Sequence, residues 1–460
     1  MAIGCPSEEE IGRAAMAKAS WRLLPLIGLG YGIAYMDRVN ISFASLQMNH
    51  DLRFSASVYG LGAGLFFLAY ALFEVPSNLL LIRFGARRWI SRIMLTWGLI
   101  AVGMMFGKTP TQFYVMRFLL GMAEAGFFPG AVFYLMQWFP AAQRGRAVSR
   151  FYVAQPLSVV VMGGLAGALL NLRGHLGLAG WQWLFLVEGM PAILLSVAIL
   201  FLLPNSPAEA DWLTGDERTW ILTRLAADKA ALGVSHDHGL RAALLDPRVW
   251  QLGICALCIL GAGITFNLSA PAVLQEVTHW GATKVGFLIA MAALLGAVAM
   301  VLNGWHSDHG RERHLHVVIP LVVLAGAFVA LGLSTSPLIV IPAYAVFVIC
   351  QNAVLAVFWL VPSDILQGRT AAVGVAAIGS IAMLGQFVGP WAWGWARDHT
   401  GGYQAGLLSL PAAYLAAAAI VLVLRSGRAG RARAKAGEGR RANRGGALHG
   451  ARTDHEQRRG

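Results

Sequence analysis

The sequence predicts an all-α membrane protein with twelve transmembrane helices in two six-helix halves. Three observations carry that expectation. Mean hydropathy is +0.60 and only 13% of the residues are charged, a balance that belongs to membrane proteins. Apolar runs of about 20 residues recur along the chain, each long enough to cross a hydrocarbon core roughly 30 Å thick. One long polar stretch, residues 204–247, interrupts the series after the sixth run. The expected division is an N-terminal segment 1–21, a first bundle 22–203, a central loop 204–247, a second bundle 248–425 and a basic tail 426–460.

Residues 1–21 are polar and of mixed charge. No short apolar core with a small-residue cleavage site follows them, so no removable signal peptide is expected. The first span, about 22–44, would direct insertion itself. It contains YGIAYMDRVNISFA, in which Asp37 and Arg38 are adjacent and therefore point about 100° apart. They cannot share a face: one can line a cavity while the other pairs with a neighbouring helix. The second span, about 58–81, carries Gly60, Gly62 and Gly64, small residues that let helices approach closely. Glu74 lies late in it, ahead of Pro76, and is expected to take a structural role, pairing near the cytoplasmic end. The basic turn RFGARRW then supplies Arg83, Gly85, Arg87 and Arg88 before the third span at about 90–107.

The fourth span, about 113–138, holds MRFLLGMAEAGFFPG and with it two full charges, Arg117 and Glu124. Seven residues apart, they return to nearly the same helix face. An ionisable group at that depth costs roughly 2.5–3.5 kcal/mol and faces a protein interior or a watery cavity. This face is therefore the candidate lining of a transport cavity. The fifth span, about 147–171, carries Gln155-Pro156 and then Gly163, Gly164 and Gly167, a pattern for bending and close packing. Gln155 fits either a cavity contact or an interhelical hydrogen bond. The sixth span, about 183–203, has Trp181 and Trp183 at its outer end, as an interfacial aromatic belt would.

The second half repeats this plan, with spans at about 248–272, 283–305, 315–333, 337–361, 371–395 and 403–425. Its connection NGWHSDHGRERH, with Asp308 and Arg311, falls where RFGARRW falls in the first half. Parallel six-helix repeats are one of the layouts of secondary transporters. The repeat is unequal in charge. The tenth span has Gln351 and Asn352 where the fourth has Arg117 and Glu124, and the seventh has Asn267 where the first has Asp37. Protonation chemistry is expected in the first half, with neutral polar contacts from the second.

Lys and Arg in the short loops set the orientation. The even-numbered connections hold ten (Arg83, Arg87, Arg88, Arg92, Arg144, Arg146, Arg150, Arg311, Arg313 and Arg369), the odd-numbered ones five. Both termini and the central loop are thus expected in the cytoplasm. The formal charge of +13 does not indicate a nucleic-acid partner, because residues 425–460 hold eleven Arg or Lys against three acids and so supply +8 of it. That Gly/Ala/Arg-rich tail reads as disordered and drawn to anionic lipid heads. Cys5, Cys255, Cys258 and Cys350 give no disulfide framework; the CxxC lies in an apolar span and reads as two packing residues. His306, His309, His314 and His316, and the pair His236 and His238, read as solvated loop residues. No metal and no cofactor is expected.

Several blocks, in order, resemble the major facilitator superfamily and, within it, the anion:cation symporter group. They are YMDRVNISFA, FFLAYALFEVPSNLLLIRFGARRW, RFLLGMAEAGFFPGAVFYLMQWFP, GLAGWQWLFLVEGMP, GWHSDHGRERHLH and GQFVGPWAWGWARDHTG, within about residues 15 to 425. The resemblance implies proton-driven import of a small organic anion, as a monomer, across a bacterial inner membrane. It implies proton-carrying roles for Asp37 and Glu124, and basic positions beside the substrate at Arg38 and Arg117, with Arg117 favoured for direct carboxylate contact. Tyr35, Tyr70 and Gln155 match positions that contact hydroxyls or carboxylates in sugar-acid members, and Arg83, Gly85, Arg87, Arg88, Asp308 and Arg311 match the gating turns. The chain departs from the group's pattern in three places. The eleventh span reads IGSIAML, with Gly379 and Met383 in place of asparagines, the seventh reads FNLSAP rather than FWLP, and the glycine after Asp308 stands at Gly310. The first two imply a different or less polar substrate end; the last touches a gating turn.

Charge suggests the scheme. A guanidinium takes a carboxylate through paired, charge-assisted hydrogen bonds, and a proton on Glu124 would remove its repulsion of an anionic substrate. Each net charge moved inward yields about 2.3 kcal/mol per 100 mV, so a monoanion needs at least two protons for the potential to assist. Three other classes compete with the importer. An exporter or exchanger would share the fold, but the Gly-x-x-x-Gly-Pro motif of many exporters is missing from the fifth span. A membrane sensor would need an output domain, and a membrane enzyme a nucleophile or metal constellation; neither is legible here.

Overall fold

In lipid, every backbone group must find its partner within its own segment, so apolar runs of this length fold as helices. The computed structural model describes residues 7–232, 245–310, 312–366 and 370–426. Cys5, His236, His238, Arg311, Arg369 and the tail beyond Ser426 lie outside the described residues.

The first half comprises α1 (Glu8–Asp51), α2 (Ala56–Phe84), α3 (Ala86–Gly103), α4 (Pro110–Glu124), α5 (Phe127–Met136), α6 (Ala141–Tyr152), α7 (Ala154–Leu170) and α8 (Gly180–Leu202). A helix outside the spans, α9 (Gly215–Leu232), follows. The second half comprises α10 (Pro247–Thr278), α11 (Ala282–Gly310), α12 (His314–Leu333), α13 (Pro337–Phe358), α14 (Leu360–Ile365), α15 (Thr370–Thr400) and α16 (Gln404–Ser426). Among the described residues, eleven helical segments are long and apolar enough to cross a membrane. The remaining expected span lies within α1, where Asp37, Arg38 and Asn40 interrupt the apolar run.

Three spans are broken, and each break has a proline four residues on. Pro129 has no N–H for the carbonyl of Ala125, Pro156 none for Tyr152, and Pro362 none for Phe358. Accordingly α4 stops at Glu124, α6 at Tyr152 and α13 at Phe358. The first break is the sharpest: Gly126 turns left-handed at φ 87° and lies against Ser77 of α2, where a Cβ would have no room. Glu124 is thereby held at a helix end deep in the bundle.

α9 docks along the start of α1. Lys18 Nζ lies 2.8 Å from Glu217, Arg224 lies 2.7 Å from Glu8, and Gly12 leaves space for the Trp220 ring. Burial alone would raise the Glu217 carboxyl, but the hydrogen bonds from Lys18 and from the Thr214 backbone outweigh it and hold the group below its ordinary range. Trp181 departs from the expected aromatic belt. It is 4% exposed, and its indole N–H donates to Asp51 at 3.2 Å.

The halves meet through α2 with α15, α7 with α11, and α1 with α10. Glycines set the approach: Gly60 and Gly64 lie on the carbonyls of Pro390 and Phe387, Gly394 on that of Ala56, and Gly163 on that of Gly286. Hydrogen bonds join the same region. The Asp398 carboxylate accepts from the Ala56 and Ser57 amides at 3.0 and 2.9 Å, capping α2, while Tyr59 donates to the Leu268 carbonyl at 2.8 Å. All these contacts lie toward the face opposite the one that carries α9.

Candidate functional site

The buried polar centre of the first half is built from α1, α2, α4, α7 and α8. Arg38, from the broken apolar run of α1, reaches α4. Its Nε donates to Glu124 Oε1 at 2.7 Å, and Nη2 approaches the same oxygen. Glu124 is fully buried, while the Arg38 side chain keeps 18% exposure. The guanidinium carbon stands 4.8 Å from the Tyr70 ring centre and 5.7 Å from that of Phe66. Stacking of this kind holds a guanidinium while leaving its in-plane N–H groups for a carboxylate.

Arg117 and Glu124 are both buried, as their spacing suggests, at 1% and 0% exposure. They are not each other's partners. Arg117 turns to α2, where its Nε lies 3.4 Å from the Gly62 carbonyl and its guanidinium 4.9 Å from the Phe66 ring. The cause is the glycine face of α2: Gly121 of α4 sits on the Phe66 carbonyl, and Gly62 bares its own carbonyl beside Phe113. Arg117 Nη1 and Glu124 Oε2 have no hydrogen-bond partner. Asp37 sits at 2% exposure; Oδ1 accepts from Asn40 Nδ2 at 3.2 Å, Oδ2 has no partner, and its charge attracts Arg117. Of the adjacent pair on α1, Arg38 is thus the residue that joins a neighbouring helix.

Gln155 begins α7 just past the break at Val153, and its Oε1 accepts from the Tyr31 hydroxyl at 3.3 Å. Tyr35 stands beside the same amide, and Tyr70 is buried at 3% exposure. Tyr31, which stacks on Phe151 at 4.6 Å, escaped the sequence reading. Its signal was there, since Tyr31, Tyr35 and Arg38 recur at helical spacing on one face. Glu188 escaped as well. It is a 3%-exposed acid in α8, visible in sequence as a glutamate inside the apolar run LFLVEGMP. Glu74, expected to pair near the cytoplasmic end, has no ion-pair partner among the described residues; Arg38 is the charge that acts on it.

The basic turn lies apart from this centre. Gly85 adopts φ 84° between α2 and α3, and Asn205 Oδ1 closes on it while accepting from the Arg87 amide at 3.1 Å. Arg83 and Arg88 are exposed. Asp308 is exposed and approaches Arg313 at 4.0 Å. His306 and His316 lie ring nitrogen to ring nitrogen at 2.6 Å. Among the described residues no group of three or more His, Cys, Asp or Glu could hold a metal ion.

Apolar helices in two halves, with charges buried between the spans of one half, define a multi-pass membrane transport protein. The chain belongs to the Major Facilitator Superfamily, whose family model matches residues 27–390. It is 43% identical over 410 residues to a putative tartrate transporter of Agrobacterium vitis, covering 89% of this chain and 91% of the relative. It is 38% identical over 391 residues to a quinolone resistance transporter of Acinetobacter baumannii, covering 85% and 90%. Among solved structures it resembles a bacterial homologue of the human lysosomal transporter Spinster in its inward-facing, occupied conformation. There the TM-score is 0.71 at 18% identity, with 87% of this chain and 95% of that one covered, a likeness of fold. The protein is a transporter of small molecules, and the family resemblance read from its sequence is borne out.

Proposed function

We propose that the protein imports a small organic anion together with protons, by rocking its two halves about the buried centre. The observation that carries this reading is the Arg38–Glu124 ion pair, with Asp37 and Arg117 behind it. In the resting arrangement Glu124 occupies the Arg38 guanidinium. A proton on Glu124 neutralises the carboxylate and frees the in-plane N–H groups of Arg38 for a substrate carboxylate. Arg117, with Nη1 unpartnered, and Tyr35, Tyr70 and Gln155 around it, offer the remaining contacts. Once the proton leaves, Glu124 competes for Arg38 again and the anion is expelled. Proton and anion therefore favour the same loaded state, which is the requirement for symport.

The bacterial relatives support an inner-membrane location, and loop charge supports both termini in the cytoplasm. Because the halves close on the face away from α9, the centre would then be reached from the cytoplasm. The tartrate-transporter relative supports a carboxylate substrate, and the turns at Gly85 and Asp308, with Arg83, Arg87, Arg88 and Arg311, are suited to gate that side. The quinolone-resistance relative favours a second reading, a proton-coupled exporter of the same fold.

Uptake into proteoliposomes of a labelled organic-acid panel, with and without an inward proton gradient, separates the two. Gradient-driven accumulation of one anion is expected in the wild type. It should be lost in Glu124→Gln while exchange of anion for anion persists. Verified folded protein that accumulates no acid, but moves quinolones against a proton gradient, sinks the importer and establishes the exporter.

A further inference from the structure

Glu188 is a buried acid to which the scheme above gives no task. It lies on α8 at 3% exposure, next to Gly189, through which α8 closes on Gly98 of α3. Neither of its carboxylate oxygens has a hydrogen-bond partner. Asn40 lies beside it, but the Asn40 amide nitrogen is directed to Asp37 Oδ1 at 3.2 Å. Asp37 Oδ2 and Asn40 Oδ1 are also without partners, in residues exposed by 2% and 0%. Three adjacent buried side chains thus present four unpartnered oxygens.

Among the described residues no guanidinium acts on Glu188, although the charges of Arg117 and Arg38 reach Asp37. From α1 the charged group that acts on Glu188 is Asp37. Where α8 meets α3, the neighbours of Gly189 are Gly98 and Val102, neither of them titratable. Arg38 is committed to Glu124, and Arg117 leans toward Gly62 and Phe66. The centre therefore holds three carboxyls (Asp37, Glu124 and Glu188) against two guanidiniums. Two carboxylates in one low-dielectric site, with the Asn40 amide beside both and guanidinium charge reaching Asp37 but not Glu188, do not both stay ionised.

We propose that Glu188 is a proton-exchanging residue of the transport cycle, sharing one proton with Asp37 beside Asn40, separately from the Arg38–Glu124 pair. The step is a proton transfer alone: one carboxyl loses its O–H bond as the other gains it, and the charge of the pair stays at minus one. Uptake of a second proton brings the pair to neutrality, and its release on the other side restores the starting state. Glu124 would then carry the proton that admits the substrate, and the Asp37–Glu188 pair would hold a further proton of the same cycle. This rests on the symport reading above.

The test is the proton-to-anion ratio, taken from the balance of pH difference and voltage that stops net flux, in proteoliposomes of wild type, Glu188→Gln and Glu188→Asp. The infrared carboxylic-acid band of the same proteins is followed across pH. In the wild type we expect gradient-driven accumulation and a pH-dependent band. Glu188→Gln should lose accumulation and that part of the band while counterflow exchange persists, and Glu188→Asp should restore accumulation with a displaced pH profile. Glu188→Gln that accumulates anion at the wild-type ratio, with the band unaltered, overturns the proposal and leaves symport standing. If Glu188→Gln does not fold, Glu188→Asp decides, and a pH profile and band identical to wild type overturn the proposal. Wild type with no gradient-driven uptake overturns both readings, before any variant is compared.

Discussion

In the first half, Asp37, Arg38, Arg117, Glu124 and Glu188 lie between the helices, and four of the five are at most 3% exposed. In the second half the corresponding depth holds Gln351 and Thr265, and among the described residues no Asp, Glu, Lys or Arg is buried there. The two sets are also satisfied differently. Gln351 donates to the Ile259 carbonyl at 3.3 Å and accepts from the Tyr414 hydroxyl at 3.0 Å; Thr265 donates to the Gly261 carbonyl at 2.7 Å. These neutral groups are complete within their own bundle. The charged groups are not, since Asp37, Arg117, Glu124 and Glu188 each keep an unpartnered atom. A neutral amide can be closed off by two neighbours, whereas a buried charge keeps its demand until a proton or a counter-charge meets it. On the proposed reading, one half is fitted for exchange with protons and anions, and the other for holding shape.

The largest test of this contrast is Arg38→Ala. It leaves Glu124 buried without its cation, a loss of about 3–5 kcal/mol, and should abolish uptake and markedly lower the thermal transition in detergent. An unchanged transition would show that the pair carries no such weight. Gln351→Leu, in the span of the other half that matches the fourth, removes two hydrogen bonds and should cost about 1–3 kcal/mol. It should leave the proton-to-anion ratio as in the wild type; a changed ratio would break the division between the halves.

Asp398→Ala sharpens the contrast at the seam. It removes the acceptor for both capped amides of α2, an effect of about 1 kcal/mol, and should raise the share of molecules open on that face. Distances between spin labels on the two halves would report it, and distributions identical to wild type would count against Asp398 as a latch.

The smallest effect belongs to Lys18 and Glu217, outside both bundles. Because the fold holds the Glu217 carboxyl below its ordinary value, its contribution is present above the unfolded value of about 4.3 and is lost as pH falls through the folded one. Hydrogen exchange of α9 amides should stay protected from neutral pH into mild acid, then rise in stronger acid. Lys18→Ala should bring that rise to higher pH. With Lys18 43% exposed, the effect should also weaken in salt.

Much of this was legible in sequence because it depends on local quantities. Run length and hydropathy decide spanning, since a helix satisfies its own backbone in lipid. Seven-residue spacing placed Arg117 and Glu124 on the buried face of one helix, and adjacency separated Asp37 from Arg38. Proline positions carried the helix breaks, although of the three only Pro156 was read that way. What tertiary structure alone decided was partnership. Arg38 rather than Arg117 meets Glu124 because Gly62 and Gly121 bring α2 and α4 close enough for Arg117 to turn to the α2 carbonyl and the Phe66 ring. Glu188 comes under the charge of Asp37 because Gly98 and Gly189 seat α8 against α3, beside α1. Spacing along one helix fixes the direction of a side chain, but which charge it meets depends on how closely a second helix can approach, and here glycines on several helices set that approach.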